Sequence, residues 1–108
     1  MTERVKVTMG SGNVFADLGL PNPEERLAKA QLALEISRLI ERRSLTQRAA
    51  GTLMGIDQPK VSHILNGHLA DYSTERLISF IRALGQDVDI VIRRPTRRRG
   101  PGRLRVVA

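Results

Sequence analysis

Residues 46–67 read TQRAAGTLMGIDQPKVSHILNG, and this pattern predicts two short helices joined by a tight turn. Thr46 suits the N-cap of the first helix, because its hydroxyl can accept a hydrogen bond from a backbone N–H of the first turn. Gly55 suits the turn, since glycine reaches a left-handed backbone conformation at little steric cost. Between them, a platform of small residues would let a second helix approach closely: Ala49, Ala50 and Gly51.

The second helix is predicted to begin after Asp57, a good N-cap, and to tolerate Pro59 in its first turn. An Asn-Gly pair at 66–67 should end it. Its apolar residues at helical spacing should face the core: Val61, Ile64 and Leu65. The remaining side chains are left for solvent or a ligand: Gln58, Lys60, Ser62 and His63. This order and spacing are typical of a helix-turn-helix, whose second helix enters the major groove of DNA.

Sequence readout is therefore expected from the second helix. Gln58 can place its amide on N6 and N7 of adenine, and Gln47 can anchor a phosphate. The side chains predicted to contact double-stranded DNA are Gln47, Arg48, Asp57, Gln58, Pro59, Lys60, Ser62, His63 and Asn66. A local basic patch is predicted from Arg42, Arg43, Arg48 and Lys60.

The segment resembles the helix-turn-helix of the XRE group, which includes lambda repressor and Cro. Residues 13–92 are also similar to the HigA-type antitoxins of bacterial toxin–antitoxin operons. The matching pieces are NVFADLGLPNPEERLAKAQLALEISRLI (13–40), LTQ (45–47), LMGIDQPKVSHILNG (53–67) and STERLISFIRALGQDVDIVIRR (73–94). The resemblance implies a cytoplasmic, nucleoid-associated antitoxin that binds a palindromic operator, represses its own operon and neutralises a RelE-like toxin. Gly51 departs from the family, where Ala or another small helix former is usual.

Composition indicates one small domain with tails. The chain has 108 residues and no cysteine, so it has no disulfide framework and no thiolate metal site. Two Phe, one Tyr and no Trp mean that the core must be aliphatic. Seven arginines and no acid lie in residues 93–108, while residues 1–92 hold eleven basic and eleven acidic residues. The formal charge of +7 therefore lies entirely in the C-terminal region, and no signal peptide or membrane span is expected.

Residues 1–21 are interpreted as an N-terminal arm, with a short strand possible at 4–9. Phe15 and Leu18 would fold back on the core as a lid or bind a partner. A long helix should then run from Pro23 to about Arg43, with Asn22 as its cap and Glu25 completing a capping box. The apolar residues of this helix cover a wider face than packing on one neighbour requires. Leu27 and Leu34 therefore either contact a second copy or another protein, or complete the internal core.

A further helix is predicted from Ser73 or Thr74 to Leu84, which gives a mainly α, five-helix, lambda-repressor-like DNA-binding domain over residues 22–94. Residues 87–94, DVDIVIRR, alternate and are rich in β-branched residues, so they predict a C-terminal β-strand. A lone strand needs a partner. Pairing with a second copy would build a two-fold homodimer, pairing with residues 4–9 would close one chain, and both could occur together. Dimer contacts are assigned to Val88, Ile90 and Ile92.

Residues 95–108 are predicted to be a disordered Arg-rich tail, either solvated or bound to phosphates beside the operator. His63 and His68, spaced by five, would lie on different sides if the helix continued, but Gly67 intervenes. No metal site, cofactor or catalytic constellation is expected. Three functions stay open from the residues: an antitoxin, a stand-alone XRE-type transcriptional repressor, and a protein-interaction module with a degenerate helix-turn-helix.

Overall fold

The computed structural model describes residues 13–95 and 100–108. These residues form five helices: α1 (Val14–Asp17), α2 (Pro23–Arg42), α3 (Gln47–Met54), α4 (Gln58–Leu65) and α5 (Thr74–Ala83). The predicted mainly α, five-helix architecture is confirmed. The first of the five, α1, lies inside the segment that the sequence assigned to an N-terminal arm. The possible strand at residues 4–9 lies outside the described residues.

The core forms where α2 packs against α5, with α4 also contacting α2 and α3 contacting both α4 and α5. Its most deeply buried side chains are Ile36, Val61, Ile64, Leu77 and Leu84. Each such side chain contributes about 1.5–3 kcal/mol of hydrophobic free energy on burial. The core is aliphatic as predicted, apart from Tyr72 and Phe80, and the described residues bury no charged side chain.

Helix α2 begins differently from the prediction. Asn22 has φ 51° and ψ 52°, in the left-handed region, and its side chain makes no capping hydrogen bond. The predicted capping box at Asn22 is therefore wrong. Asparagine tolerates this conformation better than most residues, and its carbonyl still accepts the Arg26 N–H at 3.0 Å. The chain before α2 is held instead by Asn13, whose side-chain amide donates to the Pro23 carbonyl at 2.9 Å.

The α1–α2 region leaves apolar side chains outside the core. Leu18 is 69% exposed and Leu34 is 49% exposed, whereas Phe15 and Leu27 are half-buried. Leu18 therefore does not close over the core as the lid interpretation requires. Leu34 likewise lies on an outer surface of α2, so it does not complete the internal core, which was one of the two roles predicted for it.

The β-strand predicted at residues 87–94 is absent, because the described residues contain no strand. Residues 87–94 are instead irregular, and Val88 packs against the helical core while Ile90 is 78% and Ile92 93% exposed. A strand needs a neighbour to satisfy its backbone hydrogen bonds, and the described part of this single chain places none beside it. Val88 also does not share an exposed face with the other two side chains assigned to the dimer contact.

The end of the chain lies against the helical body. The Leu104 N–H donates to a carboxylate oxygen of Glu24 at 3.0 Å, and Val106 is half-buried against the core. Residues 100–108 have no regular secondary structure, yet these two contacts differ from the disordered tail that composition predicted. Val106 supplies an apolar side chain among the arginines that can leave water, whereas Leu104 contributes its backbone N–H and keeps its side chain 48% exposed.

No helix within the described ranges, 13–95 and 100–108, combines the length and apolar character needed to cross a membrane.

Candidate nucleic-acid interface

The turn between α3 and α4 is built by the capping residues that the sequence predicted. Thr46 Oγ1 accepts the Ala49 N–H at 3.0 Å, and Asp57 Oδ1 accepts the Lys60 N–H at 3.1 Å. Gly55 ends α3 with φ 76°, the left-handed conformation expected of it. The three predictions are confirmed, and together they fix the direction in which α4 leaves the turn.

Gly51 allows α3 and the turn to approach closely. A Cβ at this position would lie 2.6 Å from the carbonyl oxygen of Ile56 and 3.3 Å from a methyl group of Val61. The Ile56 N–H in turn donates to the Gly51 carbonyl at 2.9 Å. Glycine is thus required here by the packing of backbone on backbone, so the departure from the usual Ala has a structural reason.

Helix α4 has one buried face and one polar face, as predicted. Val61 and Ile64 are buried in the core, and Leu65 is partly buried against it. The polar face is solvent-exposed at Gln58, Lys60 and His63. Because the helix is only eight residues long, these exposed side chains lie within two turns of its N-terminus.

Gln58 is joined to Gln47 across the two helices. Its side-chain Nε2 donates to Gln47 Oε1 at 2.6 Å, linking the first residue of α4 to the first residue of α3. A primary amide has two N–H groups and one carbonyl oxygen. One N–H is used on Gln47, so one N–H and the carbonyl oxygen of Gln58 remain available at the surface.

The structure brings most of the remaining predicted contact residues to the same part of the molecule. Asp57 and Pro59 are exposed at the start of α4, although the Asp57 carboxylate is also engaged as the helix cap. At the other end of α4, the Asn66 side-chain amide donates to Ser62 Oγ at 3.3 Å. Arg48 is exposed in the first turn of α3.

One member of the predicted basic patch has another role. The Arg43 guanidinium donates to the Leu84 carbonyl at 2.8 Å, in a partly buried hydrogen bond that ties the end of α2 to the end of α5. Arg43 therefore provides a hydrogen-bond donor for a carbonyl at the C-terminal end of α5, and its positive charge interacts favourably with the negative end of that helix dipole. Arg42, Arg48 and Lys60 are exposed as well, and they remain as candidates for contact with phosphates.

His63 and His68 lie close together, on either side of Gly67. Their ring centroids are 5.8 Å apart in an edge-to-face arrangement. The chain reverses at Gly67, which has φ 82°, and the His68 N–H donates to the His63 carbonyl at 2.9 Å. The helix does not continue, so an i,i+5 argument does not apply. The described residues contain no group of three or more potential metal-ligating side chains.

Sequence reasoning missed Arg76, which stands beside the polar face of α4. Arg76 and Tyr72 line a shallow depression together with Pro59, Lys60 and His63 from α4. A signal was present in the sequence, because Arg76 and Phe80 are four apart on the predicted fifth helix and Tyr72 comes just before its start. Residues at this spacing lie on one side of a helix.

Comparisons with known proteins agree with this geometry. A family model described as a helix-turn-helix domain matches residues 14–93. A solved structure whose name assigns it to the XRE family of transcriptional regulators is 46% identical in sequence, with a TM-score of 0.74. That match covers 82% of this chain and 99% of the other. No curated protein matches the chain significantly. The capped α3 and α4, the glycine turn between them and the extent of both matches show that the chain belongs to the helix-turn-helix domain family and is of the XRE type.

Proposed function

We propose that the protein is a sequence-specific DNA-binding regulator of transcription. The observation that carries the proposal is the polar face of α4, where Gln58, Lys60 and His63 are exposed while Val61 and Ile64 anchor the helix in the core. A helix held in this way can enter the major groove without losing its own packing. The similar structure named as an XRE family transcriptional regulator supports the same function.

Gln58 is the residue proposed to read a base. Its free N–H can donate to N7 of adenine while its carbonyl oxygen accepts from N6, which is the bidentate contact that identifies an A·T pair. The hydrogen bond that Gln58 donates to Gln47 Oε1 holds the Gln58 amide in one orientation and so reduces the entropy lost on binding. Gln47 itself lies at the N-terminus of α3, where a phosphate is favoured by the helix dipole.

The test is selection of binding sites from a random duplex library by the full chain. We expect enrichment of one sequence motif. When the selection is repeated with Gln58→Ala, one position of the motif should lose its base preference, and that position should be an A·T pair in the parent motif. Recovered sequences that match the input library would contradict sequence-specific binding, whatever the overall affinity for DNA. A phosphate-only binder would give that result, because phosphate contacts carry no direct sequence information.

A homodimer is the proposed binding unit. Ile90 and Ile92 are highly exposed, and their backbone belongs to an irregular segment without a strand neighbour in the described residues. Antiparallel pairing of residues 87–94 with a second copy would give their backbone N–H and C=O groups hydrogen-bond partners and would bury the side chains of Ile90 and Ile92. A two-fold dimer would present two α4 helices and so favour a palindromic operator.

A finer proposal is that the regulator is an antitoxin that represses its own operon. It rests on the resemblance to HigA-type antitoxins, and the exposed apolar side chains of α1 and α2 support it by offering a surface for a second protein: Val14, Leu18 and Leu34. The protein would then neutralise a RelE-like toxin by direct binding, in the cytoplasm and on the nucleoid. The alternative is a stand-alone XRE-type repressor, which needs no such partner.

Co-expression distinguishes the two. A small reading frame adjacent in the genome should encode a protein that co-purifies with the full chain and whose growth inhibition is relieved by it. We expect Leu18→Asp to abolish co-purification, whereas Gln86→Asp, at an exposed position after the end of α5, should preserve it. DNA binding without any co-purifying product of a neighbouring gene would support the stand-alone repressor.

A further inference from the structure

An arginine outside the helix-turn-helix is held in place by two aromatic rings. The Arg76 Cζ lies 5.6 Å from the ring centroid of Tyr72 and 5.5 Å from that of Phe80. The two rings are themselves in edge-to-face contact, with centroids 6.1 Å apart. Both aromatic residues are buried, so the rings are rigid parts of the core. Cation–π contacts with such rings restrict the guanidinium and orient it before any ligand arrives.

The position of Arg76 relates it to the recognition helix. Arg76 lines a depression of about 420 Å³ together with Pro59, Lys60 and His63 of α4. A DNA duplex that receives α4 in its major groove must pass a backbone along the side of that helix. Arg76 therefore stands where a phosphate of that backbone would lie.

The charges around Arg76 favour a ligand that brings negative charge. Within residues 13–95 and 100–108, no carboxylate forms an ion pair with Arg76. Two carboxylates also line the depression, but Asp57 is occupied in capping α4, and Asp71 lies in the exposed loop before α5. The planar fork of an arginine can bind two oxygens of one phosphate, which a lysine cannot do.

We infer that Arg76 is a positioning residue for DNA, which clamps a backbone phosphate beside α4 and so fixes the depth and angle of the recognition helix. This inference rests on the proposed DNA binding and adds a contact outside the helix-turn-helix. Phosphate contacts of this kind set the register of a protein on the duplex. The rings of Tyr72 and Phe80 keep the clamp in position.

The experiment compares Arg76→Gln with Arg82→Gln in the full chain. Arg82 is also exposed on α5 but lines a different depression, with Asp87 and Asp89, so the control removes the same charge from the same helix. The probe is a random-sequence DNA duplex, with affinity measured by fluorescence anisotropy over a series of salt concentrations. We expect Arg76→Gln to weaken binding by about tenfold at low salt, as for the loss of a charge-assisted hydrogen bond. It should also lower the slope of log K against log salt by about 0.9, and Arg82→Gln should leave the slope unchanged.

A second pair of variants tests the same site by a gain of affinity. Asp71→Asn removes a carboxylate from the depression and should tighten binding of the random duplex, whereas Asp87→Asn, at the other depression, should not. Thermal unfolding checks that all four variants fold like the parent chain.

The inference would be overturned by an unchanged salt slope in Arg76→Gln, by equal losses in Arg76→Gln and Arg82→Gln, or by no gain in Asp71→Asn. A loss confined to a selected site, with random DNA unaffected, would make Arg76 a base reader and overturn the phosphate assignment. If the parent chain itself binds no duplex, the proposed function fails and this inference fails with it.

Discussion

A methyl group on Gly51 would lie 2.6 Å from the carbonyl oxygen of Ile56. The obstacle is backbone in the turn before α4, and the Ile56 N–H is hydrogen-bonded back to Gly51 at 2.9 Å, so the two segments cannot separate without breaking that bond. The position of α4 therefore depends on the missing side chain at Gly51 of α3, which lets the turn before α4 pack directly against α3.

Gly51→Ala should destabilise the protein although it improves helix propensity. Alanine gains about 1 kcal/mol over glycine in a helix interior, but overpacking against backbone costs more, and we expect a net loss of about 1–2 kcal/mol. Urea denaturation followed by circular dichroism measures the change. Thr52→Ala, at an exposed position of the same helix, is the control and should change stability little. A Gly51→Ala chain as stable as the parent would show that the turn moves freely.

Gln58→Ala should reduce affinity for the selected operator by about 1–3 kcal/mol and affinity for random DNA very little. The reason is that a base-reading amide contributes only where its base pair is present. Anisotropy titrations with both duplexes measure the difference. Equal losses on the two duplexes would show that Gln58 contacts only the backbone.

Gln47 and Gln58 should be energetically coupled in operator binding. If the 2.6 Å hydrogen bond orients Gln58, then Gln47→Ala removes part of the benefit of Gln58, and the double variant should lose less than the sum of the single variants. A coupling energy of about 0.5–1.5 kcal/mol is expected for residues in direct contact. Strict additivity in the double-mutant cycle would mean that the two amides act independently.

Ile90→Asp should convert a dimer into a monomer and abolish operator binding while the helices remain folded. The charge would lie in the interface proposed for residues 87–94, where it could not be solvated. Sedimentation measures the mass and circular dichroism the helical content, with Ile90→Val as the conservative control. A dimer of unchanged affinity in Ile90→Asp would refute the pairing. Loss of stability at constant mass would favour pairing with residues 4–9 of the same chain.

Removal of residues 95–108 should weaken binding to operator and random DNA by similar factors, because its arginines can contact phosphates but have no framework for reading bases. Each lost phosphate contact should lower the salt slope by roughly 0.9. The deletion also removes Val106 from the core and the Leu104 contact to Glu24, so a stability loss is expected.

The effect of the tail's charge on DNA binding can be separated from its effect on stability with one variant that combines Arg103→Gln and Arg105→Gln. This variant keeps Leu104 and Val106 in place and should change the salt slope while preserving the unfolding midpoint. An unchanged salt slope in both the deletion and the double substitution would show that the tail does not touch DNA.

Local rules predicted the helix-turn-helix well. Thr46, Gly55 and Asp57 act through hydrogen bonds and backbone conformations that involve residues within five positions along the chain, so their roles could be derived from spacing alone. The buried face of α4 followed from helical periodicity in the same way. The contact roles assigned to Gln58, Lys60 and the other polar residues stay predictions, although the structure places the main ones on one exposed surface.

Features that depend on distant contacts were missed. Asn22 forms no cap because its backbone is left-handed, and the entry of α2 is held instead by Asn13, ten residues from the Pro23 carbonyl that it contacts. The strand at 87–94 was predicted from alternation, but a strand exists only with a neighbour, which alternation cannot supply. The spacing of Arg76 and Phe80 was a signal in the sequence, but only the fold shows that Arg76 and the polar face of α4 line the same depression.

Val88 and Val106 are both half-buried against the helical core, whereas residues 89–95 and 100–105 are exposed, so the two valines are the ends of a closed loop of chain. The free energy of closing such a loop depends only logarithmically on its length. Insertions or deletions between Arg94 and Gly102 should therefore leave the stability of the helices nearly unchanged. This is a position where arginines, a cleavage site or a fluorescent label could be added or removed without altering the α3–α4 pair. The number of charges near the DNA could vary there independently of the fold that reads the sequence.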